Sequence, residues 1–342
     1  MKKVKITNKT LHFKQPAGTS RGIYSTRLSH YVEIYDEESG ERGMGEAAPL
    51  PDLGCDRIAD YEEVLADFCR EYVATGRIDY EAMRPYPSML FALETAHLEL
   101  TRGRRFFDTP FSRGEEGIPI NGLVWMGSYE EMEQRMLNKM ECGFKCIKLK
   151  IGAIKWSDEL SLIKKIRNRF SKEDIELRVD ANGGFTPEEA PGILDELARY
   201  DIHSVEQPIR QGQWKDMARL CRNSPLPIAL DEELIGLNRK EDKLEMLREI
   251  KPQYLVIKPT LHGGMFGSEE WISLAGKQGI RTWITSALES NIGLNALAQF
   301  TAHCYGPGIV FPQGLGTGLL FTDNTPSALE IKRDKLWTSK NF

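Results

Sequence analysis

From about residue 118 onward, short apolar runs alternate with amphipathic stretches, and this rhythm restricts the fold more than any other feature of the chain. The runs cover 118–125, 146–151, 175–180, 204–206, 227–230, 254–257, 282–285 and 309–311. Strands rich in Ile, Val and Leu that alternate with helices specify a parallel sheet covered on both faces. Eight such units close into a barrel. The expected class is therefore α/β, with a (β/α)8 barrel of modified TIM type over 118–317.

The first 117 residues read differently. Val4, Ile6, Leu11 and Phe13 lie in short alternating stretches. The stretch 27–36 alternates, turns at Glu38-Ser39-Gly40 and continues into 42–45, which specifies an antiparallel hairpin. Helical stretches follow over 60–75 and 88–101, the second with Leu90, Leu93, His97 and Leu100 at helical spacing. An N-terminal α+β capping domain over 1–117 follows from this order. The tail, 318–342, lacks a further βα unit and is expected to fold back and complete that domain. A chain of 342 residues suits one large and one smaller domain.

Composition narrows the partners. Lys and Arg number 45 against 50 Asp and Glu, a formal charge of −5, so no basic excess exists to neutralise nucleic-acid phosphates. No run of 18 apolar residues appears, and the lysine-rich start lacks an apolar stretch of the signal-peptide kind. The six cysteines form no CxxC pair and no zinc spacing, and read as reduced thiols of a cytoplasmic protein.

The chemistry lies at the strand ends. Lys148 and Lys150 close the second run, Asp180 the third, Glu206 the fourth; Asp231 follows the fifth and Lys258 the sixth. From Lys150 the steps are 30, 26, 25 and 27 residues, about one βα unit each. Barrel active sites collect residues from the C-terminal ends of several strands, so these charges are expected to converge at one mouth. Any one aspartate after a strand reads equally well as a helix N-cap. Three acids on consecutive strands repel one another unless a cation neutralises them, and all-oxygen ligation favours Mg²⁺, with Mn²⁺ as a substitute. Strands 2 and 6 lie across the barrel, so Lys150 and Lys258 are expected to face one another. Acting as a base near neutral pH costs such a lysine about 4 kcal/mol. Lys148 and Lys150 share a side of their strand, with Leu149 opposite.

As a set, Lys148-Leu149-Lys150, Asp180-Ala181-Asn182, Glu206-Gln207-Pro208, Asp231-Glu232 and Lys258-Pro259-Thr260 resemble the muconate-lactonizing-enzyme branch of the enolase superfamily. Lysine or histidine bases working with Mg²⁺ are a hallmark of that superfamily. Further stretches resemble the o-succinylbenzoate synthase family within it. They are Ala17-Gly18-Thr19-Ser20-Arg21-Gly22, Gly45-Glu46-Ala47-Ala48-Pro49, Phe91-Ala92-Leu93-Glu94, Asn121-Gly122-Leu123, Ser286-Ala287-Leu288-Glu289-Ser290 and Gly314-Leu315-Gly316-Thr317.

The resemblance implies a lyase of menaquinone biosynthesis that removes water, by syn elimination, from 2-succinyl-6-hydroxy-2,4-cyclohexadiene-1-carboxylate. Lys150 would take the α-proton and pass it to the departing hydroxide, and Lys258 would steady the enediolate from the other face. Asp180, Glu206 and Asp231 match the metal ligands, with Asn182 and Glu232 behind them. Thr19, Ser20 and Arg21 match a loop over the mouth, and with Lys148, Ser286 and Gly314 are candidates to bind substrate. Racemisation of N-acylamino acids or epimerisation of dipeptides would use the same lysine pair. A barrel glycosidase would leave both lysines unexplained. The roles of Lys148 and His262 stay open, as does homo-oligomerisation.

Overall fold

The computed structural model describes residues 1–339 apart from 20, 21, 126, 153 and 154. Three antiparallel strands open the chain: β1 (Lys2–Thr19), β2 (Gly22–Asp36) and β3 (Arg42–Ala47). They form one sheet in the order β1-β2-β3, with Tyr35 opposite Arg42 at the hairpin. Helices α1 (Tyr61–Thr75), α2 (Tyr80–Met83) and α3 (Pro87–Arg102) follow. Gly76 ends α1 in a left-handed conformation (φ 70°), and Pro87 opens α3 where its missing N–H costs nothing. The sheet lies against α3 through Gly43 and Gly45. A Cβ there would stand 1.9 Å from the Ala96 carbonyl oxygen and 1.8 Å from that of Ala92, respectively.

The barrel begins after β4 (Ile118–Pro119) with β5 (Gly122–Val124) and α4 (Tyr129–Glu141). Ser128 and Glu131 close a reciprocal capping box at the start of α4. Then come β6 (Cys146–Lys150), α5 (Trp156–Arg169), β7 (Glu176–Asp180), α6 (Ala190–Leu197), β8 (Ser204–Glu206), α7 (Trp214–Asn223) and β9 (Ile228–Leu230). They are followed by α8 (Lys240–Ile250), β10 (Tyr254–Ile257), α9 (Gly264–Gly276), β11 (Arg281–Ile284) and α10 (Asn291–Tyr305). Strands β5 to β11 form one parallel sheet in sequence order.

Two details differ from the sequence reading. The run 118–125 divides at Ile120-Asn121: its first part leaves the barrel, and only the second joins it. The run 309–311 forms no ladder. The ring closes slightly later, through single bridges from Gln313 to Ile120 and from Gly314 to Thr285. Apolar content alone could not locate that contact, because the closing residues are polar or glycine. The tail forms a hairpin of β12 (Leu329–Lys332) and β13 (Lys335–Thr338), and β13 pairs with β4. Just before it, Phe321 bridges to Phe13 of β1.

Alternation divides the barrel strands between two environments. Ile147, Leu149, Leu177, Val179, Val205, Ile228, Leu230, Leu255, Ile257 and Ile284 belong to the main apolar core. Inside the barrel, Ala229, Tyr254, Val256, Trp283 and Phe311 form an apolar plug, with the Arg178 guanidinium 4.6 Å from the Trp283 ring centroid and 4.3 Å from that of Phe311. The plug fills the lower interior and leaves the opposite end for polar side chains.

Candidate active site

Register brings the charges to one level. Lys150 pairs with Asp180 across β6 and β7, and Asp180 pairs with Glu206 across β7 and β8. Parallel neighbours in register point the same way, so these three side chains stand side by side. Glu206 lies opposite Ala229, and Asp231 follows two residues on, on the same face. Val256 pairs with Trp283 inside the barrel, and Lys258 follows two residues after it. All five therefore enter the mouth. Lys150, Asp180, Glu206 and Asp231 are buried.

The lysines tie the acids together. Lys148 Nζ donates to Glu206 Oε1 at 2.5 Å and stands 2.9 Å from Asp180 Oδ2. Lys150 Nζ donates to Asn182 Oδ1 at 2.6 Å and lies 3.6 Å from Asp180 Oδ2. Lys258 Nζ donates to Asp231 Oδ2. Asn182 Nδ2 donates to Glu232 Oε1 at 3.0 Å, which places both behind the lysine and acid row. The left-handed backbone of Asn182 (φ 45°) is one that asparagine tolerates.

Burial opposes every charge here, and neighbours decide which survive. Burial resists ionisation of Asp180, but Lys148 and Lys150 outweigh it and hold the carboxyl well below the usual carboxylate range. Burial, reinforced by the Asp180 charge, pushes Glu206 up to about 8. Burial and Asp231 likewise push Glu232 up to about 7. Burial resists charge on Lys258, but Asp231, Glu232 and Glu206 overcome it, so its ammonium form is favoured. The same balance, set by Asp180, Glu206 and Asp231, raises Lys148. The sequence reading put a cost on making a lysine of this site a base; at Lys148 and Lys258, close contact with acids raises that cost.

The three lysines, Asp180 and Glu232 face a cavity of about 350 Å³, and Glu206 and Asp231 stand behind them outside its lining. Its lining includes Lys148, Lys150, Asp180, Asn182, Glu232, Lys258, Ser286 and Gly314. Ser286 and Thr317 share a 2.7 Å hydrogen bond. A Cβ at Gly314 would meet Thr285 Oγ1 at 1.9 Å, so only glycine fits where the ring closes. Thr19 ends β1 opposite Gly22, whereas Ser20 and Arg21 lie outside the described residues.

Several contributors escaped the sequence reading. Trp125 lines the cavity with its ring centroid 5.5 Å from Lys150 Nζ, and Leu50, Leu53 and Leu288 supply apolar wall. Gln207 adopts a strained left-handed backbone (φ 39°). Its Oε1 accepts from the Asp231 N–H at 3.2 Å and the Glu233 N–H at 3.3 Å, so it shapes the turn that presents Asp231. A glutamine before a proline was the available signal. His262 Nδ1 accepts from the Lys258 N–H at 2.9 Å, which assigns the ring proton to Nε2. Burial first, then the Lys258 and Lys243 charges, keep that ring neutral.

The three acids fit a hard divalent cation by chemistry: all are oxygen donors from successive strands, and Asp231 Oδ1 is buried without a hydrogen-bond partner. Among the described residues no three such ligands converge into a finished cage. The Lys148 and Lys258 ammonium groups stand against the carboxylates and supply the compensating charge in this arrangement.

Comparison with known proteins gives the family. Residues 131–332 match the family described as enolase C-terminal domain-like. The chain is 44% identical to an o-succinylbenzoate synthase of Desulfotalea psychrophila, across 94% of this chain and 95% of that protein. The crystal structure of MenC from the same organism superposes with a TM-score of 0.83 at 38% identity, covering 98% of this chain and 99% of that one. A substrate-liganded L-Ala-D/L-Glu epimerase from Bacillus subtilis shares the fold, with a TM-score of 0.81 at 20% identity, covering 98% of this chain and 96% of that one.

Proposed function

This chain belongs to the enolase superfamily and, within it, to the o-succinylbenzoate synthase family of hydro-lyases; on that premise we propose that it converts 2-succinyl-6-hydroxy-2,4-cyclohexadiene-1-carboxylate to o-succinylbenzoate and water, as a step of menaquinone biosynthesis. The observation that carries this reading is the convergence of Lys148, Lys150 and Lys258 with a row of buried acids on one cavity. Lys150 removes the α-proton, because its Nζ meets an amide oxygen at 2.6 Å and its nearest carboxylate oxygen lies farther off, at 3.6 Å. The resulting ammonium returns the proton to the leaving hydroxide on the same face. Lys258, favoured as a cation, faces the negative charge that develops on the substrate. Asp180, Glu206 and Asp231 would hold Mg²⁺, which when bound neutralises the substrate carboxylate and stabilises its developing charge. Asn182 and Glu232 orient Lys150 from behind.

A second activity, racemisation of N-acylamino acids or epimerisation of dipeptides, is supported by both lysines lining the one cavity and by 28% identity to the L-Ala-D/L-Glu epimerase of Bacillus subtilis, across 84% of this chain and 81% of that protein. An ultraviolet assay for o-succinylbenzoate formation, run with and without EDTA beside an N-succinylamino acid racemisation assay, tests both. Absence of dehydration in the Mg²⁺-supplied enzyme would reject the main reading.

A further inference from the structure

Arg27 lies on β2 and is 2% exposed. Its neighbours on the same face, Ser29 and Tyr31, are also buried, and Glu46 of β3 accepts from Ser29 Oγ at 2.6 Å. Among the described residues, every acceptor of the guanidinium is a backbone carbonyl. Within the N-terminal part, Nη1 donates to Pro49 O at 2.5 Å and Nη2 to Ala48 O. Across to the barrel, Nε donates to Leu288 O and Nη2 to Ala287 O, each at 3.4 Å. Among the described residues, no carboxylate pairs with it directly. Burial opposes the guanidinium charge, the Glu289 and Glu46 charges offset part of that cost from a distance, and an apolar side chain would fill the space without it. The fork does what an apolar residue cannot: it fixes four carbonyls from two segments at once.

One of the two segments lines the cavity. Ser286, Ala287 and Leu288 all face it. Leu288 is held at φ 67°, a left-handed backbone that a branched side chain adopts only under constraint. The flanks are also anchored. Glu46 accepts from the Ser290 N–H at 2.8 Å, Ser290 Oγ at 2.5 Å and the Gly293 N–H at 2.8 Å. Glu289 accepts from Thr260 Oγ1 and from the Ala287 N–H at 2.7 Å. Arg27 supplies the contact at the strained residue itself.

We infer that Arg27 is a positioning residue: from the N-terminal sheet it holds Ala287-Leu288 as the cavity wall, and so sets the shape that the substrate meets. That the wall meets this substrate rests on the proposed function; the link between Arg27 and the wall does not.

The test uses full-length, Mg²⁺-supplied enzyme carrying R27K, R27Q, L288A or R27K/L288A. R27K keeps the charge without the fork, and R27Q removes the buried cation, so at least one folded variant is expected. Hydrogen exchange of amides 285–290 is expected to quicken about tenfold in either variant, with the remaining barrel amides unchanged. KM for the dehydration substrate is expected to rise about tenfold while kcat per folded enzyme moves less than about threefold. L288A should raise KM by a similar factor, and the double variant should add little, because both changes act through one wall. Unaltered exchange over 285–290 in a folded Arg27 variant would overturn the inference. Independent, multiplicative effects of R27K and L288A on KM would do the same. A wild-type enzyme that performs no dehydration rejects the proposed function instead, and the exchange measurement still decides the role of Arg27.

Discussion

Lys150 and Lys258 are chemically the same residue made different by their neighbours. Lys258 is bonded to Asp231 and surrounded by acids, whereas Lys150 meets an amide oxygen and the face of Trp125. Lys150→Ala and Lys258→Ala should each lower dehydration at least about 10²-fold while thermal unfolding stays cooperative, since both side chains serve the mouth and not the core. Wild-type turnover by Lys150→Ala would remove it as the base. Lys258→Arg separates two activities. Arginine keeps the positive charge but does not give up its proton at working pH. Dehydration should survive in part and racemisation should fail, with α-proton exchange in D₂O persisting for one enantiomer only. Unimpaired racemisation would show that Lys258 is not the second base.

Elements are joined here by carboxylates at helix starts. Glu94 of α3 accepts from the Met265 N–H at 2.6 Å and the Phe266 N–H at 2.9 Å, at the first turn of α9. Burial nevertheless pushes its pKa up to about 8. A carboxyl raised in the folded state binds its proton more tightly there than in the unfolded chain. Its contribution is therefore complete below the unfolded value of about 4.3 and is lost as pH rises toward 8. Glu206 and Glu232 act in the same direction. Burial holds the rings of His30, His203 and His262 neutral, which opposes this trend below about pH 6.5, so the melting temperature of the metal-free protein should fall between about pH 6.5 and pH 8, on the scale of about 2–4 °C per kcal/mol. Glu94→Gln should lessen that slope without abolishing it; an identical slope would mean that Glu94 is ionised throughout. Close approach of elements is the other constraint. Gly45→Ala would drive a methyl into the Ala92 carbonyl, so β3 and α3 must separate, and a loss of about 3 kcal/mol or outright failure to fold is expected in denaturant melts.

For the whole molecule, EDTA should silence the enzyme and Mg²⁺ restore it; full activity in metal-free buffer would reject the site as described. The acids differ in what their loss does to the metal-free protein. Asp180→Asn removes a counter-charge of Lys148 and Lys150, and should lower the melting temperature. Glu206→Gln removes a carboxyl that resists ionisation but also an acceptor of Lys148, and should lower the melting temperature less than Asp180→Asn does. Calorimetry of both variants checks the order, and isothermal titration should show weaker Mg²⁺ binding in each.

The periodicity of the chain was enough to place Lys150, Asp180, Glu206, Asp231 and Lys258 at successive strand ends, because the barrel repeat and strand alternation are local properties of sequence. The limits of α1 and α3 and the hairpin of β2 and β3 were legible for the same reason. Tertiary structure decided the rest. The point of ring closure at Gln313 and Gly314 depends on which backbone atoms meet, not on apolar content. The sign of the shift at Lys258 and Lys148 depends on acids that lie 27 to 58 residues away in sequence and within hydrogen-bond reach in space. The cavity wall at Leu288 is held by Arg27, 261 residues earlier, through carbonyls that carry no sequence signature of their own.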